Sequence, residues 1–109
     1  MKTAFVSGPY RAAAPHGVYD NIQRARKVAE RLWRMGYAVF CPHMNTAFLD
    51  GLVPDDTFLD ACLAWLPHAD IVVMVDGWEK SLGARSEMAL ALTIGIPVYG
   101  EGNVPEVCE

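Results

Sequence analysis

ADIVVMVDGWEKSLGARSE, residues Ala69 to Glu87, reads as a buried strand, a polar turn and the start of a helix. Ile71, Val72, Val73, Met74 and Val75 are apolar at every position. That pattern suits a strand covered on both faces, as strands of parallel sheets are. In open α/β sheets ligands sit beyond the carboxyl ends of such strands. The residues that follow, from Asp76 through Trp78 and Ser81 to Gly83, therefore fall where chemistry is expected, and Asp76 and Glu87 are expected to face one cleft. Glu87 stands among Ala84, Met88, Ala89, Ala91 and Leu92, a more apolar setting than a solvated helix face requires. It is the candidate nucleophile. The simpler reading is a surface glutamate, a residue that helices tolerate well.

Outward from this stretch, Lys2 to Ser7 reads as a first strand, followed by Gly8, Pro9 and Tyr10 and a small-residue loop through Ala12, Ala13, Ala14 and Pro15. From Val18 to Met35 the apolar residues Val18, Ile22, Ala25, Ala29, Leu32 and Trp33 recur at helical spacing, with Gly36 as the terminating residue. Arg24, Lys27, Arg31 and Arg34 read as a solvated face, with Glu30 and Arg34 spaced for an i,i+4 pair. Tyr37 to Cys41 forms a second strand stopped by Pro42, and the loop carrying His43, Asn45 and Thr46 is a second site wall. Asp50 to Asp56 is turn-rich, and Thr57 to Leu66 reads as helix, with Trp33 and Trp65 expected in the core. The Glu87 helix runs to about Ile94, closes at Gly95 and leads to a fourth strand, Pro97 to Gly100, and an irregular tail. Strand alternating with helix implies right-handed crossovers and an α/β fold. The expected architecture is a small doubly wound domain, Rossmann-like or flavodoxin-like, with a mostly parallel sheet of four to five strands and helices on both faces. So few strands leave apolar surface for a second copy, so a homodimer or higher homo-oligomer is expected.

A chain of 109 residues with 52% hydrophobic content fits one domain with a core that needs no disulfide or structural metal. The net charge of -4 argues against a nucleic acid polymer as partner. Cys41, Cys62 and Cys108 are odd in number and lack C-x-x-C spacing, so they read as reduced thiols of a cytoplasmic protein. Neither a signal peptide nor a membrane span is expected, since no apolar run approaches ~20 residues. His16 and His68 show no ligand spacing, and neither a metal nor an organic cofactor is expected.

The nucleotide fingerprints G-x-G-x-x-G and the P-loop are both missing. In their place stand two strand-to-helix loops, Ser7 to Arg11 and Ser81 to Gly83, whose backbone N–H groups could hold an anion. Ser81 could equally be a helix cap, and Gly8 and Pro9 a simple turn. Arg11 follows the first loop and could reach a phosphate, His43 could contact a base or donate a proton, and Trp78 could stack on a base or pack inward.

VSGPYR (residues 6–11), CPHMNT (41–46), ADIVVMVDGW (69–78) and SLGARSE (81–87), in this order, resemble the nucleoside 2-deoxyribosyltransferase superfamily over most of the chain. S-L-G-x-x-x-E resembles the nucleophile segment of its 2′-deoxynucleoside 5′-monophosphate N-glycosidase branch. The resemblance implies that Glu87 attacks the anomeric carbon, that Ser81 and the first loop (Ser7, Gly8, Pro9, Tyr10, Arg11) bind the 5′-phosphate with Gly83, and that His43, Asn45 and Trp78 lie on the base side. Relatives acting on unphosphorylated nucleosides tend to carry aspartate where Ser81 stands, which tilts the reading towards nucleotides. Two positions depart from the pattern. Phe5 replaces a tyrosine that orients the nucleophile, and Cys62 replaces a helical aspartate that assists the leaving base. Asp76, Asp60 or His43 would then supply the acid. The expectation is hydrolysis of a nucleoside monophosphate, its alternatives being base exchange by a deoxyribosyltransferase or a non-catalytic nucleotide-binding module.

Overall fold

In a computed structural model, which describes residues 1–107, the elements run β1 (Thr3–Ser7), α1 (Pro15–Arg34), β2 (Ala38–Phe40), α2 (Pro42–Asn45), α3 (Asp55–Trp65), β3 (Ile71–Met74), α4 (Leu82–Ile94) and β4 (Val98–Gly100). Single 3-10 turns occupy Leu66–His68 and Trp78–Lys80. The reading of Cys108 as a reduced thiol lies outside the described residues, while Cys41 and Cys62 are both free thiols.

All strand pairings are parallel, in the order β2-β1-β3-β4, with Ala4 opposite Ile71 and Ser7 opposite Met74. Alternation along the strands divides the core in two. Ala4, Val6, Ile71, Val73 and Val75 pack with Ala25, Val28, Ala29 and Leu32 of α1 on one face. Phe5, Val72 and Met74 pack with Leu66 and with Ala84 and Ala91 of α4 on the other. Helices therefore cover both faces, and the fold is a doubly wound α/β sheet. The strand order reverses direction between β1 and β3, and such a switch point opens a crevice above the carboxyl ends of the two strands.

Several local expectations are corrected. The first helix begins at Pro15, three residues earlier than its apolar repeat, because proline at a first helical turn has no N–H to satisfy there. His43 and Asn45 belong to the short helix α2, not to a loop, with Pro42 again opening the helix. Trp33 is 54% exposed, because it follows the buried Leu32 by one residue and a helix turns ~100° per residue. Trp65 is also mostly exposed, with one ring face stacked on Phe40 at a centroid distance of 5.1 Å, and Phe40 in turn stacks on Phe5 at 5.7 Å. Glu30 pairs with Arg26 at 3.7 Å instead of Arg34. Both arginines lie four residues from Glu30, so helical spacing alone does not choose between them.

Ser81 caps α4: its Oγ accepts from the Ala84 N–H at 3.1 Å. Ser81→Ala is expected to cost about 1 kcal/mol of stability, measured by urea denaturation. A variant as stable as the wild type would show that solvent satisfies that N–H equally well.

Candidate functional site

A cleft of about 680 Å³ lies above the carboxyl ends of β1 and β3. Its walls come from the loop after β1 (Gly8, Pro9, Tyr10, Arg11), from Asn21 and Arg24 of α1, from Pro42 and His43 of α2, and from the N-terminal turn of α4. Asp55, Asp56, Phe58, Leu59 and Cys62 of α3 close the side opposite α1.

Glu87 lines this cleft and is only 6% exposed. Strand alternation sets its environment. Phe5 and Ser7 project to the same face of β1, so Ser7, at the end of the strand, meets α4 where the sheet stops. The Ser7 Oγ donates to Glu87 Oε1 at 2.6 Å. A hydroxyl on this carboxylate is therefore present, although Phe5 cannot provide one and instead packs in the core. Burial pushes the Glu87 carboxyl up to about 7, opposed by the hydrogen bond from Ser7, which favours the ionised form. On α3, burial and then the adjacent Glu87 charge push the Cys62 thiol up to about 12. It stays protonated at neutral pH.

The first loop is held tightly. Its Pro9 carbonyl lies 2.9 Å from His43 Nε2, which therefore carries the donated proton, and Asn21 Nδ2 donates to the carbonyls of Tyr10 (3.1 Å) and Arg11 (3.4 Å). His43 Nδ1 is buried and has no hydrogen-bond partner among the described residues. Burial lowers the pKa of the ring, which opposes the proton-donor role considered for it. Gly8 is packed so closely that a Cβ there would fall 2.6 Å from the Val75 Cβ. Gly77 has φ +92° and stands beneath the Arg24 guanidinium, 3.7 Å from where its Cβ would be.

At the mouth, Arg11 pairs with Asp55 and, at 3.8 Å, with Asp50, while the Tyr10 hydroxyl donates to Asp50 at 2.9 Å. Burial, and then the bond to Asp50, push the Tyr10 phenol up to about 12. Arg11 and both carboxylates are at least half exposed, so these pairs are screened by solvent and each contributes well under ~1 kcal/mol.

Glu87, Gly8, Pro9, Tyr10, Arg11, His43, Ser81 and Gly83 thus share one cleft, with Ser7 beneath it. Four other expected site residues stand apart. Asp76 is exposed, its backbone N–H donates to Glu101 Oε2 at 2.8 Å, and it does not line the cleft although the following Gly77 does. Asp60 lies on the exposed side of α3, about 200° around the helix from Cys62. Asn45 is exposed at the end of α2, and Trp78 packs against the core cluster beneath α4. Neither lines the cleft. Arg24 and Lys80, not expected at the site, do line it. The spacing of Arg24 matched a solvated face, and only the approach of α1 to the turn at Gly77 brings it in.

No group of three or more His, Cys, Asp or Glu side chains among the described residues is placed to hold a metal ion. No helix among them is long and apolar enough to cross a membrane. A family model described as "Domain of unknown function (DUF4406)" matches residues 3–99, and the chain belongs to that family. No curated protein matches it.

Proposed function

We propose that this member of the DUF4406 family is a cytoplasmic N-glycosidase that hydrolyses a small (deoxy)nucleoside 5′-monophosphate to free base and sugar phosphate. One observation carries the reading: a buried glutamate, oriented by a serine hydroxyl, lies in a cleft at the switch point of a doubly wound sheet, beside a capped helix N-terminus. A carboxylate in that position can attack the anomeric carbon as the base departs, forming a glycosyl ester that water then cleaves. Ser81, Gly83 and the backbone of Gly8 bind the phosphate. Arg24 and Lys80 add positive charge on the same walls, whereas Arg11 is shared with Asp50 and Asp55. Asp60 and Asp76 are not placed to protonate the base. Asp56, a cleft carboxyl group without an ion pair among the described residues, is the one to test for that role. The reaction needs Glu87 ionised, so base release is expected to fall as pH drops through about 7.

The reading is tested by chromatographic detection of free base after incubation with nucleoside and deoxynucleoside 5′-monophosphates and their unphosphorylated forms. Release is expected from monophosphates and should fall by roughly three orders of magnitude or more in Glu87→Ala. Transfer to an added free base would instead identify a deoxyribosyltransferase. Saturable nucleotide binding without base release would identify a binding module. The protein is also proposed to act as a homodimer or larger homo-oligomer, supported by Trp65, Leu82, Leu92 and Ile94, which are all substantially exposed on α3 and α4. A monomeric mass by light scattering at micromolar concentration would rule this out.

A further inference from the structure

We infer that Arg24 is the specificity-determining residue for phosphate: its guanidinium, not that of Arg11, grips the phosphate of a nucleotide in the cleft, while Arg11 is a strut that fastens the first loop to α3. The inference deepens the nucleotide reading and rests on it. It departs from the resemblance, which extends the phosphate contacts of the first loop to Arg11 and gives Arg24 no part.

Three cations line the cleft, Arg11, Arg24 and Lys80, and their partners differ. Both terminal nitrogens of Arg11 already face carboxylates, Nη2 at 2.5 Å from Asp55 and Nη1 at 3.8 Å from Asp50. Asp50 also accepts from the Tyr10 hydroxyl at 2.9 Å, and the Arg11 guanidinium lies 5.0 Å from the Tyr10 ring centroid. A phosphate that takes Arg11 must displace two carboxylates and then sit beside them, where like charges repel. Arg24 is different. It is exposed to an incoming ligand and forms no ion pair among the described residues. Its Nη2 donates to the neutral Asn21 Oδ1 at 3.1 Å, and the Nδ2 of the same asparagine donates to the carbonyls of Tyr10 and Arg11. One amide therefore ties Arg24 to the first loop without neutralising its charge. The guanidinium also reaches the place where two loops meet: a Cβ at Gly77 would fall 3.7 and 3.9 Å from its terminal nitrogens and 3.9 Å from Pro9 Cγ. Pro9 follows β1 and Gly77 follows β3, the two strands at whose carboxyl ends the crevice opens. A planar group with five N–H donors suits two oxygens of a phosphate, whereas Lys80 offers a point charge without that fork.

The experiment measures Kd by isothermal titration calorimetry for nucleoside and deoxynucleoside 5′-monophosphates and their unphosphorylated forms, in wild type, Arg24→Gln, Arg24→Lys and Arg11→Gln. Wild type is expected to bind at least one monophosphate more tightly than its parent nucleoside. Arg24→Gln should weaken that monophosphate by about tenfold or more, the loss of a charge-assisted hydrogen bond, and leave the nucleoside within about twofold. Arg24→Lys keeps the charge but not the fork and should fall between the two. Arg11→Gln should change the same Kd by less than about threefold, because its ion pairs are half exposed and screened. The inference is overturned by a loss in Arg11→Gln as large as that in Arg24→Gln, by an equal loss of nucleoside and monophosphate in Arg24→Gln, or by a wild type that does not prefer the monophosphate. If Arg24→Gln does not fold, the comparison of Arg24→Lys with Arg11→Gln decides in the same way. Binding needs no turnover. Absence of base release from every monophosphate would refute the hydrolase reading while Arg24-dependent binding stood, and base release with phosphate selectivity carried by Arg11 would refute this inference alone.

Discussion

Replacing Glu87 by glutamine is expected to stabilise the protein at about pH 8 by on the order of 2 to 3 kcal/mol while abolishing base release. The physical reason is the burial that raises this carboxyl from its usual 4.5 to about 7. A carboxyl whose pKa is higher in the folded state binds its proton more tightly there. Its favourable contribution is complete below the unfolded value and is lost as pH rises through about 7, because folding must then bury a charge that the unfolded chain would leave in water. Glutamine keeps the shape and can still accept from the Ser7 hydroxyl, but it never ionises. The stability difference between variant and wild type should therefore grow from about pH 5 to pH 8 and vanish near pH 4. Urea denaturation across that range measures it. A variant that is equally stable at every pH, or less stable at pH 8, would show that the folded protein accommodates the charge without cost. In that case the site would lack the stored unfavourable energy expected of a buried functional carboxylate.

A single methyl group at Gly8 is expected to have the next largest effect. Gly8→Ala places a Cβ 2.6 Å from Val75 Cβ and 2.9 Å from its Cγ2. Neither partner can yield easily. Val75 directly follows β3, is 2% exposed, and its N–H donates to the Ser7 carbonyl at 2.8 Å. The loop must move instead, and with it the Pro9 carbonyl bonded to His43 and the Tyr10 and Arg11 carbonyls bonded to Asn21. Overpacking of this kind costs roughly 2 kcal/mol, equivalent to a fall of about 10 °C in Tm for a chain of this size. Nucleotide affinity should fall further than stability does, because the displaced backbone belongs to the proposed phosphate site. A Tm within about 2 °C of wild type together with unchanged nucleotide binding would show that the loop relaxes freely and does not define the site.

Much of this architecture is legible from residue order alone. The uninterrupted apolar run at Ile71 to Val75 signals a strand buried on both faces, and the structure places all five residues below 9% exposure. Gly36 and Gly95, both at positive φ, end their helices where the sequence places the ends. These are local effects: burial pattern, helix period and backbone freedom act over a few residues, so a single stretch is enough to reveal them. The joining of Ser7 to Glu87, 80 residues apart, is of another kind. It depends on β1 lying beside β3 and on α4 crossing the same face. The same long-range geometry brings Arg24 into the cleft from a helix face that reads as solvated, and leaves Asp76 and Asp60 outside although their types and spacing suit an acid. Sequence by itself determined the alternation of strands and helices and the presence of a carboxylate on an apolar helix. Only the tertiary structure decided which side chains meet that carboxylate and how dry its surroundings are, because proximity and desolvation arise when elements distant along the chain pack together.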